Sequence, residues 1–368
     1  MPARVRVLIV DDSIFFREFM QRSLSSDTGI EIVGVASDAF EAQKKVKELM
    51  PDVITLDIEM PKMSGTDFLR HIRPKYPSVQ VVVISSVSGI VFEALQAGAV
   101  DFVAKPNSQM KLDNADFIKE VLSKIKIAAS ARHTKTSAAR PQPSRPAIST
   151  TSAPPAKRSS ATAATTKIPR IGGTMNFRNK RAVIAIGAST GGTEAILAVL
   201  KDFPANIPGI VIVQHMPPVF TRMYAERLDK VCKFNVREAQ DGDRVEQGVA
   251  LLAPGGDRQM RIKKDSRGYY VGLTKEDKVS GHCPSVDVLF ESMANIVGSD
   301  AIGIILTGMG ADGAKHLTAM KRRGAYTIGQ DQDSCVVYGM PMVAFNLGGV
   351  TDQLPLHNIS DAVLRKLV

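Results

Sequence analysis

The sequence predicts a two-domain α/β protein in which each domain is built on a largely parallel β-sheet. Short runs of β-branched residues alternate with helix-period stretches at both ends of the chain. At 368 residues the chain exceeds what one hydrophobic core usually holds. A segment rich in Ser, Thr, Ala and Pro separates the two alternating regions. We therefore assign residues 1–127 and 182–368 to folded domains and residues 128–181 to a disordered basic linker.

Five apolar runs with helix-period stretches between them mark the first domain. Short strands buried on both faces and separated by helices form parallel sheets. Five strands and five helices predict a flavodoxin-like domain. The runs are VRVLIV (5–10), IEIVGVA (30–36), DVITLDI (52–58), VQVVVIS (79–85) and VDFVAKP (100–106).

The same alternation resumes after the linker. Its apolar runs are AVIAIG (182–187), GIVIVQ (209–214), VALLAP (249–254) and AIGIILTG (301–308). Between residues 234 and 274, segments such as RQMRIKK and YYVGLT predict shorter, antiparallel strands. We expect a second α/β domain with a mostly parallel, Rossmann-like sheet and a short antiparallel part.

Composition argues against a membrane protein and a secreted one. Hydrophobic residues make up 44% of the chain and charged residues 23%, as in soluble globular proteins. No apolar run approaches the roughly 18 residues of a membrane span. The start MPARVRVLIVDDS leads directly into a strand pattern without a signal peptide, so we expect a cytoplasmic protein. Three widely separated cysteines predict reduced thiols.

The net charge of +10 is concentrated in the linker. Residues 128–181 contain 11 Lys or Arg and no acid, whereas residues 182–368 contain 20 basic and 20 acidic side chains. Neither folded part carries the charge of a DNA-binding domain, and we expect no nucleic-acid partner. The linker is interpreted as a solvated tether, with contact to an anionic partner as the alternative.

Polar side chains follow four strands of the first predicted sheet. Asp11, Asp57, Ser85 and Lys105 lie at or just after strand ends, and Asp12 adjoins the first of them. The carboxyl ends of parallel strands meet at one edge of a sheet, so these groups are expected to converge.

Such a cluster has two interpretations. Each acid could cap the helix that follows it. Crowded carboxylates also suit Mg²⁺, and a carboxylate can accept a phosphoryl group whose charge Lys105 and the metal would neutralise. Five matching residues at four strand ends favour the second interpretation, with Asp57 as the acceptor.

The segments DDS, LDIEMP, ISS and AKP resemble the receiver domains of two-component response regulators over residues 4–127. The resemblance implies phosphorylation by a histidine kinase at Asp57, with Mg²⁺ held by the carboxylates of two aspartates and one backbone carbonyl. It further implies three switch residues: a hydroxyl that senses the phosphate, an aromatic ring that reports it, and a lysine. The implied residues are Asp12, Asp57 and the carbonyl of Glu59 for the metal, with Asp11 nearby, and Ser85, Phe102 and Lys105 for the switch.

Three residues follow apolar strands of the second domain. Ser189 lies in the glycine-rich turn GASTGG before a helix, where free backbone N–H groups favour an oxyanion. His215 follows the next strand as a candidate base, and Asp312 follows a later one as its orienting acid. The sheet could therefore assemble a Ser-His-Asp triad from distant segments.

The glycine-rich turn also admits other functions. GASTGGT after a strand resembles a degenerate dinucleotide-binding loop, but the next strand ends in Gln214 and His215 instead of the acid that binds a ribose. An ordinary α/β-hydrolase is disfavoured because the residue order is Ser, His, Asp. A non-catalytic module that uses this loop to bind a nucleotide or protein remains an alternative. A transcription factor is a weaker alternative, because no helix-turn-helix pattern follows the linker.

The segments GASTGGTEA, QHMPP, HCPSVDVLF and LTGMGADGA resemble the chemotaxis protein-glutamate methylesterases over residues 182–355. That family demethylates glutamate methyl esters on cytoplasmic helices of methyl-accepting chemoreceptors, releasing methanol, and deamidates certain glutamines. The resemblance implies a chemotaxis histidine kinase as phosphodonor, chemoreceptors as substrate, no membrane insertion and no cofactor for the esterase reaction.

Residue roles follow from the same resemblance. Nucleophile, base and acid map onto Ser189, His215 and Asp312, and Thr190 and Met309 line the site, with backbone amides as oxyanion donors. The HCP segment, His282 and Cys283, is interpreted as structural or as part of the substrate groove. We expect the first domain to cover the site until Asp57 is phosphorylated.

Overall fold

The computed structural model describes residues 4–86, 88–106, 114–137, 175–179 and 181–368. Most of the predicted linker lies outside these ranges. No helix within them is long and apolar enough to cross a membrane.

A five-stranded parallel sheet with strand order β2-β1-β3-β4-β5 forms the first domain. This confirms the flavodoxin-like prediction. The strands are β1 (Val5–Val10), β2 (Ile30–Ala36), β3 (Val53–Leu56), β4 (Gln80–Ser85) and β5 (Asp101–Ala104), and the helices are α1 (Ile14–Leu24), α2 (Ala39–Leu49), α3 (Gly65–Ile72), α4 (Ser88–Gln96) and α5 (Asn114–Ser137).

Helix α5 extends beyond the predicted domain boundary at residue 127. Ala is the strongest helix former, and the segment AASA continues the helix. Ala128 and Ala129 are buried against the first-domain core, which holds this extension in place. At the other end of the linker, Phe177 is buried in the core and Asn179 donates a 2.8 Å hydrogen bond to Asp300. Both ends of the predicted linker are therefore structured.

The second domain is built on a seven-stranded sheet, order β14-β13-β12-β6-β7-β9-β8, in which every pairing is parallel. A separate antiparallel hairpin pairs β10 with β11. The strands are β6 (Val183–Ala188), β7 (Ile210–Gln214), β8 (Asn235–Glu238), β9 (Val249–Leu252), β10 (Arg258–Asp265), β11 (Gly268–Lys275), β12 (Ala301–Ile305), β13 (Tyr326–Gln330) and β14 (Asp352–Leu354).

The predicted mostly parallel sheet with a short antiparallel part is confirmed, with two differences. β8 lies in the segment predicted to be antiparallel but pairs in parallel with β9. β13 and β14, which the sequence analysis did not identify, extend the sheet at the other edge.

Helices cover both faces of this sheet. They are α6 (Gly192–Leu200), α7 (Phe220–Val231), α8 (Val286–Ser292), α9 (Ala314–Arg322), α10 (Met340–Asn346) and α11 (Leu356–Leu367), and a short π-helical segment (Met293–Val297) follows α8. Gly191, with φ of 77°, allows the sharp turn between β6 and α6.

The two domains pack through α4 and β5 of the first and α7 of the second. Phe92 on α4 stacks on Tyr224 with ring centroids 5.5 Å apart. Phe102 on β5 contacts Phe220 with centroids 4.7 Å apart. All four rings are buried, so the contact is an apolar interface.

Gly187 in β6 lies against Val286, the first residue of α8. A Cβ at this position would lie 2.2 Å from Cγ1 of Val286. We expect Gly187→Ala to lower the free energy of unfolding of the second domain by about 1–3 kcal/mol, because the core has no space for the methyl group.

Calorimetry measures this effect as a lower unfolding midpoint. The control is Gly89→Ala in α4, whose added Cβ would be 3.5 Å from Met223, an ordinary contact. Equal midpoints for Gly187→Ala and the wild type would contradict the packing argument.

Candidate functional site

The predicted acid cluster is assembled at the carboxyl edge of the first sheet. Carboxylate oxygens of Asp11, Asp12 and Asp57 lie within 4.8 Å of one another. Nζ of Lys105 lies 2.7 Å from Asp11 Oδ2 and 2.6 Å from Asp57 Oδ2. Asp11 and Asp57 are buried, whereas Asp12 is exposed.

The electrostatics of this cluster fit a divalent cation. Burial raises the pKa of Asp11 above 3.8, and the hydrogen bond from Lys105 offsets this only in part. Burial acts to lower the pKa of Lys105, but its two carboxylate partners raise it more, so the ammonium form is favoured. One ammonium facing three carboxylates leaves excess negative charge, and an all-oxygen set suits Mg²⁺.

Other predicted receiver residues surround Asp57. The Glu59 N–H donates a 3.2 Å hydrogen bond to Asp57 Oδ1, which places the Glu59 backbone beside the Asp57 carboxylate. Ser85 is buried at the end of β4. Phe102 is buried in the interface with α7, so it does not lie free at the surface.

Ser189, His215 and Asp312 each follow a strand of the second sheet. The Ser189 N–H donates to Thr307 O at 3.0 Å, and the His215 N–H donates to Ala188 O at 3.2 Å. These ladder bonds fix the two backbones on adjacent strands. Because the Ser189 N–H is bonded in this way, it is not free to serve an oxyanion, and the oxyanion donors stay a prediction.

His215 and Asp312 are joined directly. His215 Nε2 lies 2.8 Å from Asp312 Oδ2. Among the described residues, the buried Nδ1 of His215 has no hydrogen-bond partner. The resting structure therefore does not join Ser189 to His215 by a hydrogen bond, as is common before substrate binds.

Asp312 is held by a dense set of donors. Besides His215, it accepts from Ser285 Oγ at 2.7 Å, Val286 N at 2.8 Å and Asp287 N at 3.0 Å. Burial acts to raise the pKa of Asp312, but these hydrogen bonds and His215 outweigh burial, and the pKa lies below 3.8. The carboxylate is therefore ionised at neutral pH and fixed in orientation.

A cavity of about 560 Å³ contains Ser189 and His215. Thr190 and Met309, both predicted to line the site, also border it. The first domain forms one wall of this cavity, through residues that include Asp101, Phe102, Asp116, Lys119, Glu120 and Lys124.

Thr190 makes a contact that the sequence did not indicate. Its Oγ1 donates a 2.6 Å hydrogen bond to Oδ2 of Asp101, the first residue of β5. The same carboxylate oxygen pairs with Lys124 of α5 at 2.5 Å. The residue next to Ser189 is thereby bonded to the first domain.

His282 is a site residue whose position the sequence analysis missed. Its ring stacks on the ring of His215, with centroids 3.6 Å apart and planes 10° apart. Burial, together with the neighbouring His215, lowers the pKa of His282 to about 4, so it is neutral at about pH 7. Nothing in the sequence of the segment HCP indicates that it lies over the ring of His215.

Fold and site together define a protein with a receiver domain and a second α/β domain that brings Ser189 and His215 into one cavity and pairs His215 with Asp312. Residues 7–115 match the family model of the response regulator receiver domain, and residues 184–363 match that of the CheB methylesterase. The chain belongs to the protein-glutamate methylesterase/protein-glutamine glutaminase family, and it is an enzyme of that class with a receiver domain.

Relatives match over nearly the whole chain. The protein-glutamate methylesterase/protein-glutamine glutaminase 2 of Syntrophomonas wolfei is 48% identical, covering 98% of this chain and 97% of its own. The corresponding protein of Syntrophotalea carbinolica is 42% identical, covering 99% and 98%. The crystal structure of the Thermotoga maritima CheB methylesterase catalytic domain is 37% identical, covers 50% of this chain and 98% of that one, and gives a TM-score of 0.49.

We expect Asp312→Asn to lower the free energy of unfolding by about 1–3 kcal/mol at about pH 7, because the amide NH₂ would face donors. A depressed folded-state pKa gives stabilisation that is complete above 3.8 and is lost as the pH falls through the folded value. The difference between variant and wild type should therefore shrink below 3.8.

Urea unfolding followed by circular dichroism measures this, since the chain has no Trp. Asp333→Asn, at an exposed position, is the matched control. A difference that stays constant across the acid range would show that the charge of Asp312 is not the stabilising feature.

Proposed function

We propose that Ser189, His215 and Asp312 form the catalytic triad of a phosphorylation-activated methylesterase and glutaminase. The observation that carries this proposal is the His215–Asp312 hydrogen bond of 2.8 Å in a cavity that also contains Ser189. The names of the relatives supply the reaction class. The geometry of the cavity supports the choice of these three residues.

The hydrogen bonds assign a task to each ring nitrogen of His215. Nε2–H donates to the ionised Asp312, so Nδ1 carries the lone pair and is the base. Nδ1 takes the hydroxyl proton of Ser189, whose Oγ attacks the ester carbonyl. The proton then passes to the ester oxygen, which leaves as methanol, or to the amide nitrogen of a glutamine, which leaves as ammonia. A water, deprotonated by the same nitrogen, hydrolyses the acyl-enzyme to glutamate.

The substrates are glutamate methyl esters, and certain glutamines, on the cytoplasmic helices of methyl-accepting chemoreceptors. This proposal rests on the family to which the chain belongs, and it implies that the enzyme acts in the cytoplasm. Thr190 and Met309 border the cavity that would take the esterified side chain. Met309 is 51% exposed, which leaves it accessible to a receptor helix.

Ser189→Ala should lower methanol release from methylated receptor membranes by at least about 1000-fold, since alanine has no hydroxyl to attack the ester carbonyl. Ser360→Ala, a buried serine in α11, is the control and should retain the wild-type rate. Release of methanol by Ser189→Ala at the normal rate would disprove the triad.

The phosphoryl acceptor of the receiver domain is Asp57, and a chemotaxis histidine kinase is the donor. Asp12, Asp57 and the backbone carbonyl of Glu59 would hold Mg²⁺, with Asp11 beside them. When bound, the metal supplies positive charge to the transferring phosphoryl oxygens. Lys105, already between the carboxylates, adds a second cation, and Ser85 lies at the end of the neighbouring strand.

Phosphorylation acts by releasing the receiver from the catalytic cavity. Receiver residues form one wall of that cavity, and Asp101 bonds the residue after the nucleophile. The strand β5 begins with Asp101, continues with the interface ring of Phe102 and leads to Lys105 at the phosphorylation site. A shift of this strand on phosphorylation would loosen both interface contacts and shift the domain equilibrium.

Asp101→Ala should raise the methanol-release rate without phosphodonor by about 5-fold or more, because the closed form loses a charge-assisted hydrogen bond to Thr190. Asp27→Ala is the matched control, since Asp27 also pairs with a lysine, Lys126, but lies away from the interface. Unchanged basal activity in Asp101→Ala would show that this contact does not hold the receiver over the cavity.

A further inference from the structure

Gln214, the last residue of β7, bridges the two backbones that carry the nucleophile and the base. It is 3% exposed. Its Nε2 donates hydrogen bonds to Ser189 O at 2.9 Å and to His215 O at 3.1 Å. Both partners are carbonyl oxygens, which can only accept, so the NH₂ end of the amide must face them.

We propose that Gln214 is a positioning residue that sets the distance between Ser189 and His215. The inference rests on the proposed triad. The β6–β7 ladder ends with the pairing of Ala188 and Gln214 and the 3.2 Å bond from His215 N to Ala188 O. Beyond that point the Gln214 amide supplies the cross-link between the two catalytic backbones.

The resting site makes this cross-link necessary. Ser189 and His215 are not hydrogen bonded to each other, and within the described chain Nδ1 of His215 has no partner. No direct bond between the two side chains fixes their separation, so it depends on how the two backbones are held until substrate arrives. Displacements of about 1 Å in such a pair reduce rates by about 100-fold.

The other end of the amide offsets part of the stability that its two hydrogen bonds provide. Oε1 of Gln214 is buried and, among the described residues, has no hydrogen-bond partner. It faces Gly192 so closely that a Cβ there would lie 2.1 Å away. A buried unpaired acceptor destabilises a fold, so replacing the amide removes this cost while it also removes the two donated hydrogen bonds.

A variant that removes the amide but keeps the length of the side chain tests this role. Gln214→Met keeps the length and apolar stem but removes both donors and the unpaired acceptor. In the full chain with phosphodonor and Mg²⁺, we expect kcat for methanol release to fall about 10- to 100-fold with KM unchanged. Labelling of Ser189 by a fluorophosphonate should slow in parallel, while circular dichroism at the assay temperature should still show a folded protein.

A second variant and a control make the result decisive. Gln214→Asn keeps the amide but shortens the side chain, so it should lose the same activity, and it decides the outcome if Gln214→Met does not fold. Gln80→Met replaces an equally buried glutamine at the far end of β4 and should change neither rate nor labelling.

Wild-type kcat and labelling in a folded Gln214 variant would overturn the inference. A kcat loss that only matches the loss of folded protein would overturn it too, since the role would then be structural. Failure of the triad itself gives a different result: the wild type would release methanol without being inhibited by the fluorophosphonate, and Ser189→Ala would remain active.

Discussion

Both functional regions of this molecule depend on one constraint of parallel β-sheets, the convergence of strand ends at a single edge. Asp57 and Lys105 come together in the first domain because β3 and β5 end there, and they form a 2.6 Å ion pair. Ser189 and His215 meet because β6 and β7 are adjacent in the second. In each case the sheet places reactive groups that are distant in sequence, and loops only refine the arrangement.

This constraint explains why so much could be predicted from sequence. Strand periodicity located the ends of β1, β3, β6 and β7, and chemistry-bearing residues stand directly after them. Their convergence follows from topology without any knowledge of side-chain contacts. The fold class and the grouping of Asp11, Asp57 and Lys105 were accessible for that reason.

Contacts between segments whose sequence patterns are unrelated could not be predicted. The ring of His282 reaches His215 only through the turn before α8, and Asp101 reaches Thr190 only through the packing of two domains. Neither contact is indicated by a periodic pattern or a residue spacing in the sequence. β14 was missed because its three residues are too short for a hydrophobic pattern. The helix α5 was cut short because the composition of its last turns resembles that of the linker.

The strand β5 lies between two contacts that are close together along the chain, the hydrogen bond of Asp101 with Thr190 and the ion pair of Lys105 with Asp57. From Asp101 to Lys105 the backbone covers roughly 13 Å at about 3.3 Å per residue, and an extended strand can hardly be stretched. Because the extended segment can hardly lengthen, a displacement of Lys105 along the strand would also displace Asp101. A substitution that shifts β5 would therefore disturb both the hydrogen bond of Asp101 with Thr190 and the ion pair of Lys105 with Asp57.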